Sequence, residues 1–145
     1  MYHYQLCGLP NIFLVNGYKK HDTFQGEGIS IDRVDELHKA IAMAIIQSPT
    51  DMTDAEFRFL RKEMNLSQKG LARLMGVEDL AVTQWEKKEP TPIASRMMQV
   101  IARSHYTDSG FKNFIERLAE LDRREHEALY FEEADSGWLK VMSTA

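Results

Sequence analysis

Residues 66–90 read LSQKGLARLMGVEDLAVTQWEKKEP, and their spacing decides the fold. The stretch reads as a helix, a sharp turn and a second helix. With Gln68 as the first position of the unit, Ala72 is fifth, Gly76 ninth, Val82 fifteenth and Trp85 eighteenth. Two short helices crossing steeply need a small residue where their backbones approach, and Ala72 supplies it. The turn needs a residue that tolerates positive φ, and Gly76 supplies that. Leu71, Met75, Val77, Val82 and Trp85 then face one core. A hairpin of helices that only packs would need the apolar stripe, but not the Ala, Gly and Val-plus-Trp constraints together.

This pattern closely resembles the Cro/CI-type (XRE-like) helix-turn-helix of phage repressors and bacterial regulators, over residues 66–90 and, with the flanking helices, over residues 51–107. The resemblance implies a lambda-repressor-like helical domain and a sequence-specific DNA-binding transcriptional regulator, a dimeric repressor that reads the major groove with helix 78–88. The side chains placed to reach base edges are Asp79, Leu80, Thr83 and Gln84. Gln84 is the best reader, because its amide can give and take one bond each with adenine N6 and N7. Thr83 suits a base, a phosphate or a thymine methyl, and Leu80 an apolar contact. Phosphate contacts fall to Ser67, Gln68 and Lys69 at the start of the first helix, which the Ser67 hydroxyl also suits as a cap, to Arg73 on its outer face, and to Lys87 and Lys88 at the far end of the second. For each of these alone, a solvated surface group is the competing account. Glu78 and Asp79 repel phosphate, so a stabilising place at the helix N-terminus suits them better than a cytosine contact. The resemblance also implies that Arg61 and Glu86 form a semi-buried ion pair tying the preceding helix to the reading helix.

Working outward, Thr53-Asp54-Ala55-Glu56 is a capping box that opens a helix over 54–64, with Phe57, Leu60 and Met64 inward and Phe59 flanking. Thr91-Pro92 starts another helix, predicted to turn Ile93, Met97, Val100 and Ile101 to the core. Upstream, Val34, Leu37, Ile41 and Ile45 make a helical stripe widened by His38 and Ala44, with Asp32 as its cap and Ser48-Pro49 as its end. The first thirty residues read as strands: Tyr2, Tyr4 and Leu6 alternate, Ile12 to Val15 is a short apolar run, Asn16-Gly17 is a turn, Gly26-Glu27-Gly28 reads as another turn, and a third strand ends near Ile29 to Ile31. Beyond a linker at 107–110, Phe111, Phe114, Ile115, Leu118 and Leu121 repeat at helical spacing, a stripe that Leu129, Tyr130 and Phe131 would extend. The expectation is therefore a mainly α protein with a strand-plus-helix subdomain (1–50), a helix-turn-helix domain (51–107) and an acidic C-terminal helical extension (108–145).

An acidic balance runs against a nucleic-acid partner, and its distribution softens that objection. The 145 residues carry a net charge of −4, but residues 51–107 hold nine basic and eight acidic groups, while residues 108–145 hold five and nine. A net charge of +1 is low for a DNA-binding module, which points to modest affinity per protomer and reliance on a homodimer. No long apolar run predicts a membrane span, and no secretory signal is evident, so the cytoplasm is the default. One cysteine, Cys7, excludes an internal disulfide.

Strands and a helix ahead of such a domain also resemble, in order of elements, the zinc-ribbon/helix-turn-helix antitoxins. That likeness implies an alternative: an antitoxin that binds and neutralises a toxin protein and represses its own operon. The family's two CxxC pairs are missing, so a four-thiolate zinc site cannot form. His3, Cys7 and His21 could in principle supply three ligands, though a small buried side chain is the simpler role for Cys7. No other cofactor is implied. The five histidines are scattered, Gly26-Glu27-Gly28 lacks a dinucleotide-loop context, and no nucleophile-and-base set is apparent, so an enzyme is not expected.

Overall fold

The reciprocal capping box expected at residue 53 forms in full. The Thr53 hydroxyl accepts from the Glu56 N–H, and the Glu56 carboxylate accepts from the Thr53 N–H. It opens one of five helices among the residues that a computed structural model describes, which are 1–108, 110, 111, 113 and 128–142. The helices are α1 (Val34–Gln47), α2 (Asp54–Glu63), α3 (Gln68–Met75), α4 (Asp79–Trp85) and α5 (Pro92–Thr107). Six strands pair as three two-stranded antiparallel hairpins: β1 (Tyr2–His3) with β2 (Phe13–Leu14), β3 (Tyr18–Thr23) with β4 (Gly26–Ile31), and β5 (Tyr130–Ala134) with β6 (Gly137–Val141). The architecture is mixed, with helices dominant. No described helix is long and apolar enough to cross a membrane.

One hydrophobic cluster runs through the described body. Tyr4, Leu9 and Leu14 from the N-terminal layer meet Ile41, Ala42, Ile45 and Ile46 of α1, Phe57, Phe59 and Leu60 of α2, Leu71, Ala72 and Met75 of α3, Val82 of α4 and Met98 of α5. Phe57 meets the Trp85 ring edge-on at 5.8 Å, joining α2 to the end of α4. Helices α1 and α2 both pack on α5, and α3 packs on α4.

Four sequence expectations are corrected. Asp32 does not cap α1. Its N–H closes the base of the β3–β4 hairpin by donating to the Gly17 carbonyl (2.8 Å), so the chain turns through Arg33, in left-handed geometry at φ 46°, without a side-chain cap. Gly26-Glu27-Gly28 is strand; the turn sits one step earlier, at Phe24-Gln25.

The third correction concerns α5, which buries Ala94, Ser95, Met98 and Ala102 rather than Ile93, Met97 and Val100; Ile101 is half-buried. Small residues let α5 approach α1 and α2 closely. The fully buried Ser95 is satisfied, its hydroxyl accepting from the Met52 N–H at 2.8 Å. The large apolar side chains are left outside, with Ile93 71% and Val100 66% exposed. Together with Leu74, Ile101, Arg96 and Phe111 they line an open groove of about 410 Å³.

The fourth lies in the tail. Residues 130–141 form a hairpin, not a continuing helix, because aromatic and branched residues flank a two-residue Asp135-Ser136 turn closed by Gly137 at φ 118°. Phe114, Ile115, Leu118 and Leu121 lie outside the described residues.

Candidate nucleic-acid interface

Local chemistry sets the α3–α4 unit. The Ser67 hydroxyl caps α3 by accepting from the Gly70 N–H (2.9 Å). Gly76 ends it at φ 73°, and the Val77 N–H returns to the Ala72 carbonyl at 2.9 Å. This is the left-handed stop that costs glycine least. After one extended residue, Glu78, the chain enters α4; the Glu78 side chain makes no capping bond.

Val82 is fully buried and Trp85 half-buried, which turns the opposite side of α4 to solvent. Asp79, Leu80 and Gln84 are exposed there, and Leu80, at 62%, is a large aliphatic group held in water. Thr83 sits at the edge, half-buried. Lys87 and Lys88 are exposed but lie in the turn after α4, which is shorter than the expected 78–88. Lys69 and Arg73 are exposed on α3.

Beneath this rim a polar network locks α4 in place. Arg61 donates from Nε and Nη2 to the two Glu86 oxygens at 2.6 and 2.9 Å, and from Nη1 to the Leu66 carbonyl at 2.9 Å. Both side chains are nearly dry, 11% and 4% exposed. Gln68 extends the network, donating its amide N–H to Glu86 Oε1 (3.3 Å) while its carbonyl lies 3.0 Å from the Thr83 hydroxyl. The Thr83 hydroxyl has a second acceptor, the Asp79 carbonyl, at 3.2 Å.

The Gln68 side chain, named from the sequence as a phosphate contact, is engaged with α4 instead of standing free. Its amide is turned inward and joins the start of α3 to Thr83 of α4 and to Glu86, which in turn holds Arg61 of α2. Ser67 likewise spends its hydroxyl on a cap, leaving backbone N–H groups as the polar offering at that helix start. The structure gathers Asp79, Leu80 and Gln84 on one face and brings Arg61, Gln68, Thr83 and Glu86 together beneath it.

A second polar chain escaped the sequence. The Tyr4 hydroxyl lies 2.7 Å from His38 Nε2, and His38 Nδ1 lies 2.6 Å from Glu63 Oε1, linking the N-terminal layer through α1 to the end of α2. Burial, with lesser contributions from Cys7, Glu63 and Tyr2, holds the Tyr4 phenol above its ordinary value. Burial and then Glu63 do the same for Tyr106. Partners 25 and 34 positions apart leave no local signal.

His3, Cys7 and His21 are engaged separately. His3 meets the Pro10 carbonyl (2.7 Å) and stacks on Phe13, His21 pairs with the Ser30 hydroxyl (2.6 Å), and the Cys7 thiol lies 4.0 Å from the Tyr4 carbonyl. Among the described residues, no group of three His, Cys, Asp or Glu side chains is placed to hold a metal. Comparison with known proteins returns no match among protein-family models, curated proteins or solved structures.

Proposed function

We propose that this chain is a sequence-specific DNA-binding regulator acting as a two-fold dimer, with α3 and α4 as a helix-turn-helix and the rim of α4 entering the major groove. The supporting observation is the contrast across α4. One side is fixed by Val82 and the dry Arg61–Glu86 pair, while the other presents Asp79, Leu80 and Gln84 with Thr83 beside them. A rigid helix with an amide and a methyl-bearing edge turned outward suits base-edge readout. Backbone groups at the start of α3, with Lys69, Arg73, Lys87 and Lys88, supply phosphate positioning.

A single helix reads few base pairs, so a second copy is part of the proposal. The apolar face of α5 at Ile93, Met97 and Val100 is the surface it would cover. Half-sites then lie about 34–36 Å apart, or a multiple of that. The test is a mobility-shift titration with DNA upstream of the chain's own gene. The expected result is a preference over scrambled DNA at about 150 mM salt; equal affinity for both overturns the reading.

A second reading, an antitoxin that also masks a toxin protein, draws on an open apolar groove of about 400 Å³ between the β1–β2 layer and α1, lined by Leu9, Ile12, Phe13, Leu37 and Ile41. Co-purification with the product of an adjacent gene supports it, and a solitary gene argues against it.

A further inference from the structure

The β3–β4 hairpin has no part in the α4 rim, yet its side chains are sorted. Antiparallel register places Lys19, His21 and Thr23 on one face, opposite Ser30, Gly28 and Gly26. The other face carries Tyr18, Lys20 and Asp22 opposite Ile31, Ile29 and Glu27. Both carboxylates therefore lie on the face whose root, Tyr18 and Ile31, packs against the core. The opposite face holds Lys19 and a His21 ring bonded to Ser30, and its β4 half is nearly bare of side chains. Such a surface lets another backbone approach closely. At the tip Phe24 is fully solvent-exposed, at 111%.

A short run of chain and one side-chain contact join the base of the hairpin to the start of α3. The hairpin runs into α1 through Asp32 and Arg33, and His38 in the next turns of α1 bonds Glu63, the last residue of α2. Four residues further on, the chain reaches Ser67 and the start of α3. Six residues per strand, at about 3.3 Å each, give a reach of roughly 20 Å, more than the roughly 12 Å width of a major groove.

We propose that the β3–β4 hairpin is a second duplex-DNA contact, whose Lys19–His21 face follows the sugar–phosphate backbone flanking the half-site and whose Phe24 tip rests at the adjacent minor groove. The inference builds on the DNA-binding reading above. Charge complementarity selects the occupant: the carboxylate-free face is the one turned away from the body. Apolar tip residues at a minor groove have general precedent as wedges between base steps.

The experiment measures full-length protein on duplexes carrying its preferred site, with long or short flanks, across a salt series. Lys19→Ala and Lys20→Ala together should lower the slope of log affinity against log salt by about 0.9 for each phosphate left without its cation, hence by about one if Lys19 alone reaches phosphate. Phe24→Ala should erase the advantage of the long flank. All three residues are exposed, so melting temperature serves as the folding control. Wild-type discrimination with an unchanged slope and flank effect in these variants overturns the hairpin contact and leaves the α4 reading standing. Failure of the wild type to prefer any duplex overturns both.

Discussion

Arg61 and Glu86, 25 positions apart, meet in a two-point contact at 2.6 and 2.9 Å that is almost sealed from water. A pair this dry is costly to break from one side, since the remaining charge stays buried without its partner. Arg61→Ala or Glu86→Ala should each destabilise the fold by about 3–5 kcal/mol. Arg61→Met with Glu86→Leu should cost far less than the sum of the single changes. Urea unfolding of the four proteins checks this; additive losses would show that the two groups act independently.

Readout and positioning should separate by mutation. Gln84→Ala should relax discrimination at one or two base positions by about 1–3 kcal/mol. Lys88→Ala should weaken all sequences alike and lower the salt slope by about one. Titration against a panel of single-base site variants distinguishes them, and identical profiles would refute the division of roles.

Gly76 holds φ 73° at the end of α3 with open space where a Cβ would point. Any cost of Gly76→Ala is therefore backbone strain and not a clash, about 1–2 kcal/mol. Thermal unfolding reads it directly. A neutral result would mean that the turn relaxes.

The phenols of Tyr4 and Tyr106 are both raised from the ordinary 10.0, chiefly by burial. In the folded chain they keep their protons to higher pH than in the unfolded chain. Their contribution is complete below about pH 10 and is lost as pH climbs through the folded-state values, because the unfolded phenols ionise first. Stability measured from pH 9 to 12 should fall, and Tyr106→Phe should flatten part of that decline.

Val100 is exposed on α5, so Val100→Glu should leave the melting temperature within about 0.5 kcal/mol of stability. It should shift sedimentation toward the monomer and abolish cooperative binding to paired half-sites. A dimer that survives unchanged places the interface elsewhere.

The parts legible in the sequence were those governed by local rules. The Thr53–Glu56 box, the Ser67 cap and the Gly76 turn need only neighbours in the chain, whereas the Tyr2–Tyr4–Leu6 alternation does not hold as a strand, since β1 is Tyr2–His3 alone and Leu6 lies in a turn, 84% exposed. The orientation of α5 was not local. Ile93, Met97 and Val100 have the spacing of a core stripe, but close approach to α1 and α2 favoured the small Ala94, Ser95 and Ala102, and periodicity cannot tell which of two adjacent stripes wins. The Arg61–Glu86 contact was available only through family resemblance, while the Gln68–Thr83 strut and the Tyr4–His38–Glu63 chain depend on how helices cross. The tail's hairpin was missed because the apolar spacing of 111–121 was carried past the turn at Asp135-Ser136.

Tyr4, Leu9 and Leu14 share their apolar interior with Phe59, Met98 and Ala102. Nicking the chain between Pro49 and Thr50 would accordingly yield no free-standing helical fragment. Each piece would carry half of a common oil-like filling, and the cut halves should melt, cling to each other or precipitate instead of behaving as separable modules.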